Sequence, residues 1–317
     1  MKRTPTMKQR TVSFVIPVYN ERPSLRELTA SIKKVSAAKD WAPEYIFVDD
    51  GSTDGSFDEL IAFKKVSKDP VTIIRFRKNC GKSMALAEAF RIARGDVLVT
   101  LDADLQDDPR EIPKLMAKLD EGYGLVVGWR KDRQDHQNKL RLSRFFNRVV
   151  AVSSRVPLHD MNCGMKVMRR AVAEEIDVYG ELHRFIPVLA AARGFTVSEV
   201  EIVHHARKYG ESKFGNTRIF RAPFDLMTTL FLTTFRTRPL QIFGPVGISF
   251  IGVGSVALIY LSVLHFLGTS IGRRPLLFFG ILLILFGVQL LSTGLIGELI
   301  TKANIRKETG PIEEIIT

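Results

Sequence analysis

The sequence predicts an α/β protein with a mostly parallel sheet, followed by a membrane-inserted C-terminal region. Short runs of branched and aromatic residues alternate with longer helical patterns through residues 12–121, and such alternation is typical of βαβ units. No Asp, Glu, Lys or Arg occurs from Pro239 to Gly272, or from Pro275 to Gly297. Each of these stretches can supply the roughly 20 apolar residues that a membrane-spanning helix needs.

The first four predicted strands each precede a predicted helix. The strands are expected at Val12–Val18, Tyr45–Asp49, Val71–Arg75 and Val97–Leu101, and the helices at Pro23–Ala38, Gly55–Lys68, Lys82–Ala93 and Pro109–Glu121. Ligands of a doubly wound sheet bind at the carboxyl ends of its strands. The polar segments "YNE", "DDGSTD" and "DADLQDD" all begin at such ends.

The second half of the chain carries further predicted elements. A strand is expected in "LVVGWR", then a basic helix at Leu140–Val156, a helical stretch after "PLHDMNCG" and a strand at Val200–His204. Residues 214–235 mix aromatic residues with arginine, and this pattern fits helices in the membrane interface or core helices against the globular domain.

The C-terminal region is predicted to form a transmembrane hairpin, with spans at about residues 242–267 and 276–299. Lysines and arginines flank the outer ends of the two spans, so the positive-inside rule places the N-terminal domain in the cytosol. We expect a multi-pass protein of the inner (cytoplasmic) membrane, with no signal peptide. Its parts are a cytosolic domain (1–212), interfacial amphipathic helices (213–238), the hairpin (239–300) and a cytosolic tail (301–317).

The basic charge balance limits the classes of partner. The formal net charge is +12 and the pI is about 9.8, which suits nucleic acid, anionic lipid headgroups or a phosphorylated substrate. The hairpin favours the last two, and no nucleic-acid-binding signature accompanies the charge. Nucleic acid is therefore not an expected partner.

Against this positive charge, the segment "LDADLQDDP" contains four aspartates: Asp102, Asp104, Asp107 and Asp108. Such a cluster is either a solvated turn or a site that holds a cation. Asp102, Asp104 and Gln106 could supply oxygen ligands to Mg²⁺ or Mn²⁺, with substrate phosphates and water completing the coordination shell.

The motifs together resemble a known family. "IPVYNE", "VDDGSTDGS", "NCGKSMAL" and "DADLQDDP" resemble family 2 glycosyltransferases with a GT-A fold. "VVGWRKDR", "LSRFFN", "DMNCGMKVMRR", "HRFIP" and "RKYGESKFG" are similar to the polyprenyl-phosphate branch, which includes dolichyl-phosphate mannose synthases and bacterial two-span relatives. The resemblance covers nearly all of the chain.

The resemblance implies a donor site for a nucleotide-diphosphate sugar. By it, residues from four strand ends line the nucleotide site: Pro17, Tyr19, Glu21, Asp50, Lys82, Asp102 and Ala103. Asp104 and Gln106 would ligate the metal, with Asp102 beside the diphosphate.

The resemblance also implies a site for the acceptor phosphate. It assigns that site to Arg130, Lys139, Arg141 and Ser143, with Lys139 standing where the family often has arginine. Arg207 and Lys213 match positions that close over the phosphates, and Asp160 matches a catalytic or acceptor-orienting carboxylate. The expected catalytic set is Asp104, Arg130, Arg207, Lys213 and Asp160.

The function implied is the inverting transfer of one sugar from a UDP or GDP sugar to a polyprenyl phosphate, such as undecaprenyl phosphate. Two alternatives stay open: a processive polysaccharide synthase, disfavoured because its QxxRW motif is absent, and a catalytically silent scaffold that binds nucleotide sugars. Homo-oligomerisation is also left open.

Overall fold

A computed structural model describes residues 9–131, 157–180, 182–205, 208, 240–268, 270, 274–303 and 312–316. The chain divides into two compact units. The first comprises Met1–Thr229 with Glu308–Thr317, and the second comprises Leu230–Lys307. The predicted helices at 140–156 and 214–235 lie outside the described residues.

The described part of the first unit contains an eight-stranded mixed sheet in the order β7-β5-β6-β4-β1-β2-β3-β8. The strands are β1 (Arg10–Val18), β2 (Trp41–Asp49), β3 (Val71–Phe76), β4 (Val97–Thr100), β5 (Leu125–Trp129), β6 (Lys166–Arg169), β7 (Val197–Glu201) and β8 (Ile312–Ile316). Strands β1 to β4 run parallel to one another. β6 is antiparallel to both β4 and β5, and β8 is antiparallel to β3.

Helices follow the strands in the order that the sequence predicts. They are α1 (Arg22–Ala38), α2 (Ser56–Val66), α3 (Lys82–Ile92), α4 (Ile112–Asp120), α5 (Arg170–Glu175), α6 (Ile186–Ala192), α7 (Leu240–Phe266) and α8 (Pro275–Ala303). In α1, Leu25, Leu28 and Ile32 are buried at helical spacing, so one stripe packs inward. β1 and β2 are buried along nearly continuous runs, as parallel strands covered on both faces are.

The structure confirms the predicted α/β class with a mostly parallel sheet, and it corrects two local expectations. The segment after "DMNCGM" begins with strand β6 before helix α5, where only a helix is predicted. β7 runs from Val197 to Glu201, so it begins and ends three residues earlier than the predicted strand at Val200–His204. β6 has only four residues, and such a short buried run carries little periodicity.

The C-terminal tail contributes strand β8. Its backbone pairs with the edge of β3, with Ile73 opposite Ile316 and Ile74 opposite Ile315. An exposed strand edge is a template for unwanted pairing, and β8 covers the edge of β3.

The described residues of the second unit include two helices that are long and apolar enough to cross a membrane, over Phe243–Phe266 and Pro275–Gly297. Many of their large apolar side chains are exposed, as lipid-facing residues are. Glycines allow their backbones to approach closely: a Cβ on Gly247 would lie 2.7 Å from the carbonyl oxygen of Gly287, and one on Gly254 would lie 2.7 Å from that of Gly280. Small residues at such contacts are typical of helices packed in membranes.

Candidate active site

The loops after β1 and β2 are joined by hydrogen bonds. The backbone N–H of Asn20 donates to Ser52 Oγ at 2.9 Å, and that of Thr53 donates to Asn20 Oδ1 at 2.8 Å. Asp54 accepts from the backbone N–H of Arg22 at 3.1 Å. The "YNE" and "DDGSTD" segments therefore form one surface at the carboxyl ends of their strands.

The predicted nucleotide residues Pro17, Tyr19 and Glu21 lie on or beside this surface. Pro17 is within β1, opposite Val48 of β2. Tyr19 is exposed, at 37%. Glu21 immediately precedes α1, and its backbone N–H donates to Ser56 Oγ at 3.0 Å.

Asp50 connects this surface to the "NCGKS" loop. Its carboxylate is buried and accepts backbone N–H groups from Cys80 at 2.6 Å and Gly81 at 2.9 Å. Burial raises the pKa of Asp50, while these two hydrogen bonds oppose the shift. Gly51 has a φ of +71°, and a Cβ there would lie 2.8 Å from the carbonyl carbon of Lys78, so the close contact requires glycine.

Lys82 is the first residue of α3 and forms an ion pair with Asp102, which lies two residues after the end of β4. Burial alone would raise the pKa of Asp102, but the charge and hydrogen bond of Lys82, together with the charges of Lys166 and Arg130, outweigh it and lower the pKa. A Cβ on Gly164 would lie 2.5 Å from Asp102 Oδ2. Gly164, the glycine of "DMNCGM", therefore leaves room for this carboxylate.

Ala103, Asp104 and Gln106 continue the same loop. Ala103 is buried, and Asp104 Oδ1 accepts the backbone N–H of Gln106 at 3.2 Å. Leu105 between them has a φ of +60°, which costs energy for a bulky side chain and is often found at functional sites.

The oxygen atoms of this loop fit a hard divalent cation. The described residues contain no group of three or more His, Cys, Asp or Glu side chains that could hold a metal. An ion at Asp104 and Gln106 would therefore have few protein ligands and would need substrate oxygens. Mg²⁺ commonly binds in this way.

The last two aspartates of the cluster have structural partners. Asp107 is buried, lies 2.9 Å from His204 Nδ1 and accepts the backbone N–H of Met165 at 3.3 Å. Asp108 caps a short 3₁₀ turn by accepting the backbone N–H of Arg110 at 2.9 Å. Asp102, Asp107 and Asp108 thus contact basic side chains of the protein, and Asp104 and Gln106 are the more suitable metal ligands.

Arg130 and Asp160 form a buried, two-pronged ion pair. Arg130 Nε donates to Asp160 Oδ2 at 2.6 Å, and Nη2 donates to Oδ1 at 3.0 Å. Only 9% and 7% of the two side chains are exposed. Burial alone would lower the pKa of Arg130, but the Asp160 hydrogen bond and nearby anionic groups raise it. Asp160 therefore orients the arginine that the family resemblance assigns to the acceptor phosphate.

The sequence does not predict two contacts that lie close to these site residues. Lys166 of β6 is buried and donates to the carbonyl oxygen of Cys163, and burial lowers its pKa to about 8. Ser83 Oγ lies 2.9 Å from His183 Nδ1, which attaches "HRFIP" to the start of α3. A lysine between apolar residues in "GMKVM" was the available signal for the first.

Several predicted site residues fall on segments outside the described part of the chain. They are Lys139, Arg141, Ser143, Arg207 and Lys213. Their assignments stay predictions. Cys163, which lies near Asp160 in the sequence, is fully buried.

Comparisons with known proteins decide the family. The family described as "Glycosyl transferase family 2" matches residues 13–177 of this chain. These residues contain the donor loops, Arg130 and Asp160. The chain belongs to glycosyltransferase family 2. The family expectation and the expected enzyme class, a glycosyltransferase, are both confirmed.

Two relatives match almost the full length of this family 2 glycosyltransferase. Dodecaprenyl-phosphate galacturonate synthase of Rhizobium johnstonii is 34% identical over 313 residues, covering 95% of this chain and 90% of the relative. Undecaprenyl-phosphate 4-deoxy-4-formamido-L-arabinose transferase of Pseudomonas aeruginosa is 36% identical over 289 residues, covering 90% and 84%.

A solved structure supports the fold. Glucosyl-3-phosphoglycerate synthase from Mycobacterium tuberculosis, crystallised with Mn²⁺, UDP-glucose and phosphoglyceric acid, aligns with a TM-score of 0.54 and 18% identity. The alignment covers 71% of this chain and 79% of that one. The GT-A fold class is thereby confirmed.

Proposed function

We propose that this glycosyltransferase moves a single sugar from a nucleotide-diphosphate sugar to a polyprenyl phosphate, with inversion at the anomeric carbon. The observation that carries the proposal is the extent of the two full-length matches. They span 95% and 90% of the chain, and each relative is named for transfer to a polyprenyl phosphate. The proposal accounts for a GT-A domain and two apolar helices in one chain.

On the donor side, the chain would bind the nucleotide along the surface formed by the loops after β1 and β2. Lys82, held by Asp102, would lie beside the diphosphate. Asp104 and Gln106 would hold Mg²⁺ or Mn²⁺, and an ion there supplies positive charge that stabilises the leaving diphosphate. Asp102 would orient Lys82 and complete the acidic side of this site.

On the acceptor side, the chain needs a cation more than a base. A phosphate monoester is mostly ionised near pH 7 because its second pKa is about 6. One phosphate oxygen would attack the anomeric carbon while the bond from that carbon to the diphosphate breaks, and the bonding electrons would leave with the nucleotide diphosphate. Arg130, oriented by Asp160, would align the attacking oxygen.

The remaining predicted residues would complete the acceptor site. Lys139, Arg141 and Ser143 would contact the acceptor phosphate, and Arg207 and Lys213 would close over both phosphates. The two apolar helices would anchor the enzyme in the inner membrane, with the catalytic domain at the cytosolic leaflet.

A direct test is to incubate the detergent-purified chain with undecaprenyl phosphate, a panel of UDP and GDP sugars, and Mg²⁺ or Mn²⁺. Mass spectrometry should detect a polyprenyl-monophosphate sugar that disappears with EDTA. The two named relatives transfer different sugars, so the panel must include uronic acids and aminopentoses. Donor binding without product from any sugar would favour the scaffold alternative, and a polymer would favour the processive one.

A matched pair of variants tests the metal role. Asp104→Ala should abolish transfer and leave the fold intact, while Asp58→Ala, at an exposed position in α2, should retain activity. Full activity of Asp104→Ala at saturating metal would contradict the assignment.

A further inference from the structure

The acceptor arginine lies beside an aromatic contact that has no role in the catalytic scheme. Trp129 ends β5 immediately before Arg130, and His159 immediately precedes Asp160. The rings of Trp129 and His159 stack with centroids 4.3 Å apart and an interplanar angle of 17°. Two adjacent residues of one segment therefore contact two adjacent residues of the other, once through rings and once through charges.

The histidine of this stack is fixed to a third element. Its backbone N–H donates to Glu199 Oε2 at 2.8 Å, and its Nδ1 is hydrogen-bonded to Glu199 Oε1. Glu199 belongs to β7, which pairs in parallel with β5. The segment that carries Asp160 is thereby attached to both strands.

A lysine adds a second link between the same strands. Lys131 Nζ lies 5.6 Å from the centre of the Trp129 ring and 3.1 Å from Glu201 Oε2 of β7. A cation at this distance from an indole ring is attracted to it. The indole therefore contacts cationic or polar groups from two segments that flank Arg130 and Asp160.

We propose that Trp129, His159 and Glu199 form a positioning cluster for Arg130. The cluster fixes the segment that carries Asp160, and Asp160 in turn fixes the guanidinium through Nε and Nη2. The inference rests on the proposed function, because the positioned group is the one that meets the acceptor phosphate. None of the three residues touches substrate in this scheme.

Loss of the cluster should lower the affinity for the acceptor phosphate and leave the affinity for the nucleotide unchanged. Loss of a hydrogen bond to a charged group lowers affinity by about tenfold to a hundredfold. If the guanidinium is displaced from the acceptor phosphate, Trp129→Ala should weaken binding of undecaprenyl phosphate by about this factor. Binding of UDP or GDP, which uses loops of other strands, should change by less than about twofold.

The experiment measures binding of undecaprenyl phosphate in detergent micelles, and of UDP and GDP, by calorimetry on the full chain. The variants are Trp129→Ala, Trp129→Phe and the control Tyr123→Ala. Tyr123 also has a lysine over its ring, with Lys118 Nζ at 5.1 Å, but it precedes β5 at the opposite end of that strand. Trp129→Phe should retain most of the affinity for undecaprenyl phosphate, and Tyr123→Ala should bind it like the wild type.

A double-variant cycle separates positioning from general stability. If the cluster acts through the guanidinium, Trp129→Ala should have little further effect in an Arg130→Lys background, since contacting groups are not additive. Equal losses of acceptor and nucleotide affinity, or additive losses in the cycle, would overturn the inference alone. A wild type that binds no undecaprenyl phosphate would overturn the proposed function and the inference with it.

Discussion

The two halves of the candidate site satisfy their carboxylates in different ways. On the nucleotide side, aspartates accept hydrogen bonds from backbone N–H groups or hydroxyls of their own or neighbouring loops, and Asp49 has in addition a long ion pair with Arg75, at 3.8 Å. These aspartates are Asp49, Asp50 and Asp54. Around β4 and the acceptor side, the carboxylates contact the basic side chains of other segments. These pairs are Asp102 with Lys82, Asp107 with His204, and Asp160 with Arg130.

The difference separates carboxylates that fix the conformation of a loop from carboxylates that fix the position of a charged side chain. A carboxylate that binds backbone N–H groups fixes a loop, and its removal leaves those N–H groups without acceptors. In the buried pair, Asp160 holds the Arg130 cation in place, and removal of this carboxylate leaves an uncompensated buried charge. The nucleotide half should therefore be sensitive to lost hydrogen bonds, and the acceptor half to unpaired charges.

The largest expected effect follows from unpairing Arg130. Asp160→Ala should lower the free energy of unfolding by about 3–5 kcal/mol and abolish transfer, because the guanidinium stays buried without its partner. Denaturant titration of the purified chain and the glycolipid assay measure these two effects. The double variant Arg130→Met with Asp160→Leu should lose less stability, though no activity should return. Equal destabilisation by the single and double variants would contradict the buried-charge explanation.

A smaller effect is expected where the two halves meet. Gly164→Ala would place a Cβ 2.5 Å from Asp102 Oδ2, and such overpacking costs about 1–3 kcal/mol. It should also displace Asp102 from Lys82 and weaken nucleotide binding, measured by calorimetry with UDP and GDP. Gly252→Ala is the control, because a Cβ there meets no atom within 4 Å. If both variants bind nucleotide like the wild type, Gly164 is not needed for the Asp102 contact.

The nucleotide half can be tested by removing one hydrogen-bond acceptor, a carboxylate oxygen of Asp50. Asp50→Asn replaces one of two carboxylate oxygens with an NH₂ group that faces a backbone N–H, at a cost of about 1–3 kcal/mol. Nucleotide affinity should fall and undecaprenyl phosphate affinity should stay unchanged. Asp120→Asn, at the exposed ion pair with Arg10, should leave both affinities unchanged. A loss of acceptor affinity in Asp50→Asn would mean that the halves are not separable.

The smallest effect concerns the pH dependence of stability. Burial lowers the pKa of Lys166 to about 8, below the ordinary value of about 10.4 in an unfolded chain. Between these values the unfolded state binds more protons, so stability should rise with pH. The slope should not exceed about 1.4 kcal/mol per pH unit. In Lys166→Met this contribution should vanish from denaturant titrations at pH 7.5 to 9.5, and an unchanged slope would mean that Lys166 does not cause it.

Much of the fold follows from local patterns in the sequence. Apolar runs and helical spacing predict the first four βα units to within a few residues, and the charge-free stretches predict the two long apolar helices. β6 and β8 were missed because a short strand shows its identity only through its neighbours. The donor loops were found because parallel strands place their carboxyl ends at one edge of a sheet.

The sequence by itself determined the alternation of strands and helices, the apolar C-terminal helices and the polar segments that meet at one sheet edge. These features depend on burial along a single element, which periodicity records. Only the tertiary structure decided that Asp50 binds the "NCGKS" loop, that Lys82 pairs with Asp102, and that Asp160 holds Arg130. Such pairings join residues from 20 to 31 positions apart, and the distance and desolvation that govern them exist only once the elements are packed.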